Sequence, residues 1–427
     1  MISLPVMPIT GIKTNKMMLL STIFRMLVGV CFIWVVSRVP YSTYFIFPYV
    51  ALLAGLVAVQ SALLGGFSSW AVKVKLDISH LVLFVVLFTV LASVALNSLR
   101  AGLDLYYLPV LLLVLLWLAP ALLTGHFRSL GIRIDWLVAF YAVLMLCLGA
   151  FELFIGRDFF PSRFSATGMD QGLVATGTFF NENDFAAAIV TLLPVVMYAF
   201  GKERVFRYLS LVYFVGCGLL LVLSLSRAAQ VVYFMYLLVY TCWFFTNTKL
   251  YRSLSLLVLA LALVAVFAFS FGDILLRRLA DVSRILNFIL GDGVDNSGIT
   301  RLRLMQEGWL LAVDQFWGFG DKASFVEAAN EMFGTGLHDV HFFWIELAVI
   351  AGILPAALLF LGYLAAIAIH SIRILSSKND VSYSVMVVLV ALAFFVTAHG
   401  ASSTLRYAWF WLIMLVSFNF SNRVCTE

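Results

Sequence analysis

Two histidines, His338 and His341, stand three residues apart in GTGLHDVHFFWIELAVIAG (334–352), where a long polar segment meets an apolar run. A neutral imidazole at such a boundary can accept a proton from an attacking hydroxyl, because histidine titrates near neutrality. On a helix the two would face the same way. A zinc site also uses closely spaced histidines, but no third and fourth ligand follows at a recognisable spacing. A satisfied structural histidine is the remaining reading. Glu346, deeper in the apolar run, is costly in hydrocarbon and is expected to face the bundle with a partner. His399, near Arg406 at another helix end, is a secondary candidate.

Three arginines offer a different chemistry. Arg227 lies in SLSRAA (224–229), between two apolar runs, and Arg301 and Arg303 open TRLRLMQEGWLLAV (300–313), which WGFG (317–320) closes. Guanidinium groups match phosphate oxygens with a planar fork. The plainer alternative is that Arg227 snorkels to headgroups, and that Arg301 and Arg303 form a solvated or headgroup face. Arg25 and Arg38, flanking the first apolar run with no motif around them, suit that plain role better. Leu302, Met305, Trp309 and Val313 recur at helical spacing, which predicts a helix lying on the membrane or on the bundle. A further polar stretch, TGTFFNENDFAAAI (176–189), leads into an apolar run. Asn183 or Asp184 is expected to cap that helix, with Gly177 allowing the turn. Its acids are too few to argue for a metal.

The elements that must position these groups are membrane helices. The chain of 427 residues is 63% hydrophobic and only 11% charged, with a mean hydropathy of +1.05. Such a surface needs lipid as solvent, which implies an all-α polytopic membrane protein, since open strands would leave unpaired backbone in the bilayer. About twelve apolar runs reach the roughly 20 residues needed to cross the bilayer. They are 17–37, 44–64, 78–99, 105–124, 134–155, 184–201, 207–225, 228–247, 253–272, 341–370, 383–399 and 404–420. Residues 272–340 form the long loop between the ninth and tenth, and it is expected to contain amphipathic helices. Neither a repeat nor a linker divides the chain, so 1–427 reads as one unit. The first run reads as a retained span because no cleavage site follows it. The cysteines form no CxxC pair and read as buried small hydrophobes.

Orientation follows from the basic residues. With a cytoplasmic N-terminus, Lys13/Lys16, Lys73/Lys75, Arg128/Arg133, Lys202/Arg204/Arg207, Lys249/Arg252, Arg373/Lys378 and Arg423 all fall inside. That is the positive-inside pattern, and it sets both termini in the cytoplasm and 156–183 and 272–340 outside. The net charge of +5 is then a topology signal and does not argue for nucleic acid.

In chain order, GTFFNENDFA, LSRA, RLRLMQEGWLL…GFG and HFFWIELAVIAGIL resemble the O-antigen ligase and polysaccharide polymerase superfamily of bacterial membrane glycosyltransferases. The motif resemblance covers about 176–370. Phe342 departs from the asparagine that many relatives carry after the histidine. The resemblance implies an inverting, metal-independent sugar transfer at the outer side of the plasma membrane, with no cofactor. The implied donor is a glycan on undecaprenyl diphosphate, held by Arg227 and Arg301, with His341 as the base. The implied acceptor is a glycan or lipid A core, and a chain-length regulator or flippase is an implied partner. RLRLMQEG and the FWIE run look more like exopolysaccharide and teichuronic-acid polymerases, which favours polymerase over ligase. A transporter is the distant alternative; such folds tend to show repeats and helices broken at midplane.

Overall fold

A computed structural model of the protein describes residues 88–90, 92–97, 99, 134–156, 160, 174–177, 179, 181–201, 204–224, 226–247, 296–334, 340, 342–376 and 381–398. The expected spans 17–37, 44–64, 105–124, 253–272 and 404–420 lie outside these residues, as do His338, His341, His399 and Arg406. The described elements are α1 (Ile134–Ile155), α2 (Glu182–Gly201), α3 (Arg204–Leu223), α4 (Arg227–Asn247), α5 (Asn296–Asp314), α6 (Lys322–Phe333), α7 (Phe343–Ala351), α8 (Ile353–Leu375) and α9 (Val381–Thr397). Among them Asp135–Ile155, Glu182–Gly201, Phe206–Leu223 and Ile353–Leu375 are long and apolar enough to cross a membrane. The protein is a helical membrane protein.

α2 is the hub. It packs against α1, α3, α4 and α9, and its run Phe185–Val196 is buried on every side. A helix apolar all round belongs inside a bundle, and the small side chains of Ala186, Ala187 and Ala188 let neighbours approach closely. Several hydroxyls inside the bundle find backbone or hydroxyl partners, which matters where water is scarce. Tyr213 donates to the Ile189 carbonyl at 2.8 Å, Tyr236 to Leu389 at 3.0 Å, and the Thr191 and Thr397 hydroxyls meet at 3.2 Å. The cysteine expectation holds for Cys217, which is buried, but Cys147 is exposed on α1.

Two local expectations are corrected. The cap of α2 is Asn181, whose Oδ1 accepts from the Asn183 N–H at 2.9 Å. Asn183 and Asp184 already lie inside the first turn, because Gly177 at φ +57° turns the chain early enough to start the helix at Glu182. The expected span 341–370 is not one helix. Gly352, at φ 96°, separates α7 from α8. A continuous helix would put Trp344 and Phe360 about 24 Å apart at 1.5 Å per residue, yet their rings are 4.9 Å apart, and Tyr363 is 5.3 Å from Trp344. α7 therefore folds back over the start of α8.

The bend lies at the end of the bundle. Tyr363 donates to the Ala391 carbonyl and His370 meets Ser384 at 3.2 Å, so α8 and α9 run antiparallel. Gly352 is further along α8 from Tyr363 than Ala398 is along α9 from Ala391.

Candidate active site

Arg227 and the start of α7 lie at one level of the bundle. Arg227 opens α4 and lies as far from Tyr236 as Ala398 lies, along α9, from Leu389, the carbonyl that Tyr236 binds. Arg227 and Ala398 are thus level. The Phe343 N–H donates to the Ala398 carbonyl at 3.4 Å, which joins the start of α7 to the end of α9. His341 precedes Phe342 in the chain and His399 follows Ala398.

The turn before Arg227 is built rigidly. Gln230 reaches back to donate to the carbonyls of Leu221 at 2.9 Å and Ser224 at 3.1 Å. The Ser224 hydroxyl donates to Leu221 at 3.0 Å. Ser224 and Ser226 are buried while Arg227 is exposed. A cation at a helix N-terminus runs against the helix dipole, and the same dipole attracts anions.

α5 is positioned by a glycine. It packs on α7, and a Cβ built on Gly308 would stand 2.7 Å from Val340 Cγ1 and 3.2 Å from Ile345 Cγ2. Only a residue without a side chain lets α5 come this near the segment flanking His341. Arg301, two turns earlier, shares that helix face and is half-buried. Arg303 is on the other side, where its Nε donates to the buried Glu307 carboxylate at 2.7 Å. The two arginines, neighbours in sequence, lie on different faces of α5.

The apolar stripe of α5 faces away from the protein: Leu302, Trp309 and Val313 are 57%, 50% and 53% exposed. The other face of α5, where Gly308, Leu311 and Ala312 are buried, rests on the bundle at α7. Glu346 is buried in the first turn of α7, where the helix dipole favours a carboxylate, as its cost in lipid requires.

Glu152 was missed in the sequence. It is 1% exposed in the last turn of α1, and its Oε2 accepts from the Thr176 N–H at 2.9 Å and the Gly177 N–H at 2.7 Å. That carboxylate holds the TGTFFNEN approach to α2. The available signal was an acid near the end of an apolar run, which needs a buried partner. Gln230 and Gly308 gave no comparable signal, since their partners are carbonyls and methyl groups elsewhere in the chain.

Residues 212–361 match the family model described as O-Antigen ligase. A search of curated proteins returns no match. The matched segment runs from α3 to α8 and contains Arg227, Arg301, the α5–α7 contact and the bend at Gly352. That segment, about a third of the chain, is thus similar to the O-antigen ligase family.

Proposed function

We propose that this protein is a repeat-unit polymerase of surface polysaccharide, transferring a growing glycan from undecaprenyl diphosphate to a hydroxyl of the next lipid-linked unit. What supports the reading is that Arg227 lies level with Ala398, whose carbonyl binds the Phe343 N–H, and that α5, which bears Arg301, packs on α7 at Gly308. In this reading the chain has twelve spans, both termini are cytoplasmic, and this end of the bundle faces outward, as the Lys/Arg pattern supports.

The mechanism needs charge matching at the leaving group and a base at the nucleophile. Arg227 and Arg301 neutralise the diphosphate, with the N-terminus of α4 adding to the positive potential at Arg227. Diphosphate then leaves without a metal. His341, as the neutral imidazole, takes the proton from the acceptor hydroxyl as its oxygen attacks the anomeric carbon, inverting it. The acceptor O–C bond forms, the C–O bond to diphosphate breaks, and the proton rests on the imidazole. The outward apolar stripe of α5 supports contact with lipid, from which a polyprenyl tail would arrive sideways.

Ligation to lipid A core is the second reading, favoured by the description of the matching family model. Purified protein in lipid nanodiscs, given lipid-linked repeat units with or without lipid A core, tests both. Ladder formation without the core supports polymerase; transfer only with the core supports ligase. Neither product, from folded protein with several donor glycans, refutes the glycosyltransferase reading. His341→Ala is expected to lower turnover about 10²–10⁴-fold while donor binding persists, with a smaller loss for His338→Ala. Comparable losses in both variants, together with chelator sensitivity, would instead indicate a zinc site.

A further inference from the structure

The bend at Gly352 exposes backbone groups that α7 and α8 cannot satisfy themselves, and the WGFG segment takes them. The Phe319 and Gly320 N–H groups donate to the Val349 and Ile350 carbonyls at 2.8 and 2.9 Å, and the Ile353 N–H donates to Phe316 at 3.0 Å. From a helical stretch distant in sequence, Ser93 donates to the Ala351 carbonyl and Asn97 Nδ2 to the Trp317 carbonyl at 2.6 Å. Neither glycine at the crossing tolerates a side chain. A Cβ on Gly318 would be 2.5 Å from the Ile350 carbonyl oxygen, and one on Gly352 would be 2.8 Å from the Trp317 carbonyl oxygen. Both also have positive φ, 84° and 96°, where other residues are strained.

We propose that this backbone clip is a positioning device for Arg301, an inference that rests on the polymerase reading above. α5 runs into the clip through Phe316, and it is seated closely against the α7 region at Gly308 as well. Two fixed points define the line of a rigid helix, and so set where the Arg301 end lies relative to the start of α7. Gly318, Gly352, Ser93 and Asn97 act on the diphosphate through Arg301 and touch no substrate.

The test combines a double-mutant cycle with a distance measurement on the full chain. Asn97→Ala with Ser93→Ala removes the side-chain bonds; Gly352→Ala attacks the crossing itself, and the first pair serves should that variant fail to fold. The pair is expected to raise the donor KM about tenfold, less than the roughly 10²-fold that a full 1 Å misplacement can cost, and to leave the acceptor KM unchanged. In an Arg301→Ala background the same pair is expected to add little, because coupled residues are not additive. Spin labels at Gln306 on α5 and Leu361 on α8, both exposed, should give one narrow distance in the parent and a broadened one in the pair. Full additivity with Arg301→Ala, or an unchanged distance distribution, overturns the proposal. The label arm needs no turnover, so failure of the polymerase reading is distinguishable from failure of the clip.

Discussion

Replacing Gly308 by alanine separates stability from catalysis in a way the structure quantifies. Alanine in a helix interior is favoured over glycine by about 0.8–1.0 kcal/mol. Against this, the new Cβ would stand 2.7 Å from Val340 Cγ1 and 3.0 Å from Cγ2, where carbon atoms prefer about 3.5–4.0 Å. Overpacking of this kind costs about 1–3 kcal/mol, so the net change in stability is about 0–2 kcal/mol of loss. The contact relaxes by moving α5 outward by about 1 Å, carrying Arg301 with it, and a displacement of that size can cost about 10²-fold in rate. Gly308→Ala is thus expected to fold, to melt within a few degrees of the parent in nanodiscs, and to polymerise lipid-linked repeats about ten- to a hundredfold more slowly. Val340→Ala removes the two closest methyl groups and leaves Ile345 Cγ2 at 3.2 Å. The double variant should recover most of the lost turnover, although Val340→Ala alone leaves a small cavity. Parental turnover in Gly308→Ala would refute the reasoning, and so would a double variant no better than the single one.

Arg227→Lys and Arg301→Lys keep the charge but lose the planar fork, so donor affinity and turnover should both fall; parental values in both variants would remove them from the site. Glu152→Ala strands the Thr176 and Gly177 N–H groups, each worth about 1–3 kcal/mol when buried, so thermal unfolding should occur at lower temperature, with Glu152→Gln intermediate; an unchanged transition would falsify the anchoring role. Turnover should rise with pH through the histidine range, about 6.5 for an unperturbed imidazole, because only the neutral ring accepts the proton; a rate that falls over that interval argues against His341 as base. Single cysteines near Asp295 and near Asn422, in a background without native cysteines, should label oppositely with an impermeant thiol reagent in intact cells. Equal labelling would break the assigned topology.

What the sequence determined was what hydropathy and local spacing determine. The run 134–155 coincides with α1, and the periodicity of Leu302, Met305, Trp309 and Val313 correctly gave a helix at α5. Membrane class, helix type and the order of the polar motifs are properties of short windows, because the hydrophobic effect acts on each stretch before any partner is known. The tertiary structure decided which face of each helix matters. It turned the apolar stripe of α5 outward, set Arg303 on Glu307 and Arg301 on the face of Gly308, and folded α7 back at Gly352 where uniform hydropathy implied one span. It also gave Glu152 its partners, at Thr176 and Gly177. These outcomes rest on hydrogen bonds and steric contacts between residues far apart in the chain. No local window carries them, since a helix is equally good whichever way its neighbours require it to face.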